Sequence, residues 1–87
     1  MRDYTDLERH LTELLEQSSP LLTHSEQREV RDFIEHREFG LALETLVGIF
    51  VEEAKVPTDI IVSAIVALAN RMSMDAQSIL DRLKQAT

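Results

Sequence analysis

Three histidines, His10, His24 and His36, are the first residues to weigh for chemistry, because imidazole titrates near neutrality and binds metals. They stand 14 and 12 residues apart. No i, i+4 pair arises on a helix, so a metal site would need single ligands gathered from separate elements. Surface histidines are expected instead. Among the acids, Glu35 and Glu38 are close in sequence, and Glu52 and Glu53 are adjacent. Two carboxylates divide acid and base roles only in a cleft that moves their pKa values apart, and 87 residues leave little room for one. Ser18, Ser19, Ser25, Ser63, Ser73 and Ser78 have no His-plus-acid motif around them, and no glycine-rich phosphate loop occurs. Met72 and Met74 read as core and cap residues rather than a ligand pair. Without cysteine, thiolate metal sites and disulfides are excluded. The expectation is a protein that is not an enzyme, with no catalytic residue, no metal and no cofactor.

What remains is long-range electrostatics. Met1 to Val56 carry 13 Asp and Glu against 6 Lys and Arg, a net of −7, whereas Pro57 to Thr87 carry three of each. Such a field repels nucleic acid phosphates and speeds encounter with a basic partner. A helix-turn-helix drawn from the second and third helices fails for the same reason. Its recognition helix would hold Glu44, Glu52 and Glu53, with no cation before Lys55. Neither nucleic acid nor membrane is an expected partner. The longest nearly uncharged run, Ile60 to Asn70, is too short to cross a bilayer. The opening residues Met1 to Asp6 show no basic segment followed by an apolar one, so no secretory signal is expected and a cytoplasmic location is.

The elements that position these charges are helical. Two Gly, two Pro and 29% charged residues suit an all-α chain, here four to five helices in a compact bundle forming a single domain over residues 1–87. The organising stretch is Phe39 to Ala54. Leu43, Leu46, Val47, Phe50 and Ala54 stack on one face at the 3.6-residue period, Val51 widens it, and Leu41 and Ile49 lie round the other side. A helix this apolar packs against several neighbours, so it is expected at the centre. Glu44, Thr45, Gly48 and Glu52 form its remaining polar strip.

The flanking helices follow from caps and stripes. Helix one is expected from about Asp3 to Gln17, with Tyr4, Leu7, Leu11, Leu14 and Leu15 inward, and Ser18-Ser19-Pro20 ending it. Thr23 with Glu26 three residues on is a capping-box pattern opening helix two. Its core face is Val30, Phe33, Ile34 and the stem of Arg37. Gly40 is expected to make a left-handed turn into the central helix. Thr58 is the expected cap of helix four, which runs to about Met72 and buries Ile61, Ala64, Ile65, Leu68 and Met72. Ser73 is expected to cap the last helix, Met74 to about Gln85, with Ala76, Ile79, Leu80 and Leu83 inward.

The run Glu29 to Leu46, in particular Glu38-Phe39-Gly40 leading into Leu41-Ala42-Leu43-Glu44-Thr45-Leu46, resembles the core signature of the MafI-type immunity proteins. Glu52-Glu53, Pro57 and Ala69 to Asp75 fall in the order of that family, and the similarity covers roughly Leu22 to Asp75. Ser73-Met74 departs from the pattern where the family often has a second small residue. The resemblance implies a small helical protein that binds and neutralises a cognate toxin domain, commonly a nuclease, of a polymorphic bacterial toxin system. Because nucleases carry basic substrate grooves, the acidic half of the chain suits such a partner. The helical wheels then nominate Asp32, Glu35, Glu38, Glu44, Gly48 and Glu52 as partner-binding residues. The second reading is a helical adaptor or regulatory subunit. It would oligomerise through helix four, where Ile60, Ile61, Val62, Val66 and Ala67 exceed what one core face needs, and a homodimer is compatible with either reading.

Overall fold

Thr23 and Glu26 illustrate how directly local chemistry starts a helix here. In the computed structural model, which describes residues 4–85, the Glu26 N–H donates to Thr23 Oγ1 at 3.1 Å. The Thr23 N–H donates to the Glu26 carboxylate at 2.9 Å. Both halves of the capping box are therefore made. In chain order the helices are α1 (Tyr4–Ser18), α2 (His24–Glu35), α3 (Phe39–Glu52), α4 (Asp59–Arg71) and α5 (Ala76–Gln85). A short 3-10 turn, Ser19–Leu21, separates α1 from α2, and Pro20 within it interrupts the α-helical ladder. The protein is an all-α compact globule of five helices, with no strand among the described residues. The expected start of α1 at Asp3 lies outside the described residues.

α3 is the centre of the packing and contacts α1, α2 and α5. Ala42, Leu43, Val47 and Phe50 are wholly enclosed, and Leu46 and Ile49 are buried with them. Burial of Ile49, on the side away from Phe50, shows that neighbours cover more than one face. Only Leu41 among the large apolar residues of α3 stays in solvent. Around this helix one continuous core collects Leu11, Leu14 and Leu15 from α1 and Val30 and Ile34 from α2. Ile61, Ile65 and Leu68 from α4 and Ile79 and Leu83 from α5 complete it. Phe33, Val51, Ala64, Met72 and Ala76 are half-buried at its margin.

Helix ends are where several expectations fail, and for one reason. α2, α3 and α4 each close with paired backbone bonds around a left-handed residue. At α2 these are Glu38 N–H to Phe33 O (2.9 Å) and Arg37 N–H to Ile34 O (3.0 Å), with Arg37 at φ 60°. Gly40 makes no such turn; it is the second residue of α3 with helical geometry. Arg37 is consequently exposed and lends no stem to the core. At α3, Ala54 takes φ 51° and lies exposed beyond the helix, not on its core face. At α4, Ser73 takes φ 57° as the closing residue and does not cap α5. Asp75 fills that role, its Oδ1 accepting the Ser78 N–H at 3.1 Å. Leu80, expected inward on α5, is only half-buried.

Candidate functional site

On α2, Asp32 and Glu35 are three residues apart, which sets both carboxylates on one helix face. Glu38 stands at the start of α3 and makes no side-chain cap bond there. All three are exposed, and no hydrogen bond or ion pair engages their carboxylates among the described residues. Glu44, Gly48 and Glu52 recur every four residues and share a stripe of α3. At its first position the stripe meets α5: Arg82 Nη1 donates to Glu44 Oε2 at 3.2 Å, in an exposed ion pair. Glu52 Oε2 is 3.5 Å from where a Cβ on Gly48 would sit, and no atom of another helix comes within 4 Å. Gly48 thus leaves room beside the Glu52 chain rather than admitting a neighbouring helix.

The six nominated residues therefore divide into two groups. Asp32, Glu35 and Glu38 are free carboxylates around the α2–α3 junction. Glu44, Gly48 and Glu52 lie on the second, along α3, where an α5 cation, Arg82, engages Glu44. Arg28 and Arg31 also project from α2, four residues before Asp32 and Glu35, so the α2 surface is mixed in sign.

The histidines are not equivalent. His24 and His36 are exposed, and the His36 ring nitrogen lies 2.7 Å from the Asp32 carbonyl at the end of α2. His10 is half-buried in a cluster that ties α1 to α4. Its Nδ1 is 2.9 Å from the Asp6 carbonyl and 3.0 Å from Arg71 Nη1, while Arg71 Nη2 donates to Asp6 Oδ2 at 2.9 Å. A neutral ring serves one of its two Nδ1 contacts as donor or the other as acceptor, not both. Arg9 pairs with the same aspartate. Beside this cluster an open groove of about 680 Å³ runs between α1 and α4. Leu14, Ala64, Ala67 and Leu68 form its floor, and Glu13 and Glu16 stand on its α1 side. Its lining holds no hydroxyl or thiol. Among the described residues, no three metal-ligating side chains converge, and no helix is long and apolar enough to cross a membrane.

One polar link escaped sequence reasoning. Lys55, between α3 and α4, donates to the Leu21 carbonyl at 2.7 Å and to Glu26 Oε1 at 2.8 Å. The Lys55 ammonium, then the Thr23 N–H, hold the Glu26 carboxyl below its ordinary value of 4.5, against the smaller opposing effect of burial. The Thr23–Glu26 spacing announces the cap, but nothing local announces a cation 29 residues away. The Arg71–His10–Asp6 cluster was equally invisible, since it spans more than 60 residues. Compared with known proteins, the chain matches no family model, no curated protein and no solved structure.

Proposed function

We propose that this protein is a cytoplasmic immunity protein that binds a cognate toxin domain, basic and of nuclease type, and neutralises it by direct contact. The observation that carries this reading is the confinement of the −7 net charge to the first 56 residues, with Asp32, Glu35 and Glu38 exposed and unpaired within it. Exposed carboxylates cost little to bring to a cationic groove, since no internal ion pair must break first. The resemblance of Glu29 to Leu46 to the MafI-type immunity proteins supports the same reading. Glu44 and Glu52 extend the surface, Glu44 after release from Arg82. A pair this exposed contributes only ~0–1 kcal/mol, so its release is no barrier.

The test uses the toxin domain encoded immediately upstream of this chain. If none is encoded there, the reading fails at once. With that domain in hand, the double variant Asp32→Lys/Glu35→Lys should lower the association rate about tenfold near 0.1 M salt, where the Debye length is ~10 Å. The difference should shrink toward 1 M salt, because screening there acts within ~3 Å. Asp59→Lys/Asp81→Lys changes net charge equally, outside the acidic region, and should leave the rate within about twofold. Equal rates for the two variants would refute an acidic-surface mechanism.

A further inference from the structure

We infer that α4 is a self-association surface, through which two copies of this chain pair antiparallel about a twofold axis. The inference does not rest on the toxin-binding reading, because it uses a different surface, centred on α4 rather than on α2 and α3. Ile60, Ser63, Ala67 and Asn70 are all exposed on α4, at the 3-4-3 spacing of a helix-pairing seam. No charge falls between Asp59 and Arg71. On a molecule with net charge −7, two copies repel wherever carboxylates meet; along α4 itself none do, and Glu13 and Glu16 border the contact only from the α1 side of the groove.

Shape and end charges make the seam fit itself. Ile60 is the most exposed large apolar side chain described, at 69%, and Val56 just before it is 65% exposed. They form a protrusion at the N-terminal end of α4. Toward the C-terminal end, Ala67, Leu68 and Arg71 line the open groove shared with α1. Protrusion and recess thus lie head to tail on one surface, and an antiparallel pair seats each Ile60 beside the other copy's groove. Ser63 of one copy then faces Ala67 of the other, and both are small enough for close helix approach. Asp59 opens α4 and Arg71, which also pairs with Asp6 of its own chain, closes it, so antiparallel pairing sets opposite helix-dipole ends alongside and brings each Asp59 toward the other copy's Arg71 end. Parallel pairing would bring like charges together. One 13-residue helix pair with its α1 borders is a small interface. It falls near the lower limit of ~1,200 Å² for specific pairs, so association in the tens of micromolar, roughly, is expected.

The protein alone suffices for the test. Sedimentation equilibrium from about 10 µM to about 1 mM should show the mass rising from 10.0 kDa toward twice that value. Ile60→Glu and Ala67→Glu place charges in the seam at exposed sites and should each hold the mass at that of the monomer. Unchanged far-ultraviolet circular dichroism would show that both variants remain folded. Because the chain has no cysteine, register can be read directly by mixing Ser63→Cys with Ala67→Cys protein under mild oxidation. The mixed disulfide should exceed either homodisulfide several-fold. A monomeric mass at the highest concentration, dimerisation unaffected by both glutamates, or dominant homodisulfides would each overturn the inference.

Discussion

α3 and α4 are nearly equal in length, 14 and 13 residues, and both are rich in aliphatic side chains. Their surroundings differ. α3 contacts three helices, α1, α2 and α5, whereas α4 packs chiefly on α1 and α5. With two neighbours, α4 keeps Ile60, Ser63, Ala67 and Asn70 in solvent, while α3 leaves only Leu41 out among its large apolar residues. Their starts differ too. Thr58 caps α4 by accepting the Ile61 N–H at 3.2 Å, while Glu38 gives α3 no side-chain cap. A helix enclosed on several sides is held by burial, and one enclosed less fully relies more on its local signals.

The largest test of this contrast compares one apolar residue from each helix. Phe50→Ala removes a ring with no exposed surface and should cost about 3–5 kcal/mol in urea unfolding. Ile60→Ala, measured where the chain is monomeric, should change stability by less than about 0.5 kcal/mol. Comparable losses at both sites would mean that α4 is covered as α3 is.

The caps give the next effect. Thr58→Ala should destabilise by about 1 kcal/mol, because the Ile61 N–H loses its partner. Glu38→Ala should fall within about 0.5 kcal/mol, there being no cap bond to lose. A larger cost at Glu38 would show that α3 depends on its N-terminus after all.

Both helices close on a left-handed non-glycine residue, Ala54 after α3 and Ser73 after α4. Glycine removes the Cβ strain at such a position, though it enlarges the unfolded ensemble. Ala54→Gly should therefore raise stability by about 0.5–1 kcal/mol, and Ser73→Gly by a similar amount. A fall at either site would break the common account of the two ends.

The smallest effect lies in the connection between them. The Glu26 carboxyl is depressed below 4.5 by Lys55 and the Thr23 N–H. A carboxyl lowered on folding stabilises the protein above its unfolded pKa and loses that contribution as pH falls through the folded value. Lys55→Met should thus lower the melting temperature most near neutrality. The gap to the unaltered chain should narrow below pH 4.5 without vanishing, since the Lys55 bond to the Leu21 carbonyl involves no carboxylate. A gap constant between pH 3 and 7 would assign the whole effect of Lys55 to that carbonyl.

How much of this was legible in the chain depends on the range over which each feature acts. Thr23–Glu26 and Thr58 are signals confined to one turn, and apolar periodicity identifies α3 as central before any contact is known. The exposure of Asp32, Glu35 and Glu38 was readable on a helical wheel, but their freedom from ion pairs was not. Nor was the engagement of Glu44 by Arg82, because those residues are 38 positions apart. Helix closure fell between the two. Gly40 and Ser73 carried the right residue types, yet the register of the closing bonds chose Arg37 for the turn and made Ser73 a terminator. Sequence by itself therefore determined the helices, most of the core residues and the division into an acidic and a neutral part, since propensity, period and charge are local sums. Tyr4, Arg37, Ala54 and Leu80, expected inward, are exposed or half-buried. Only tertiary structure decided that Lys55 locks Glu26, that Arg71 gathers His10 and Asp6, and which side of α4 stays open. Those outcomes depend on how rigid helices stack, and stacking brings together side chains that no sequence spacing relates.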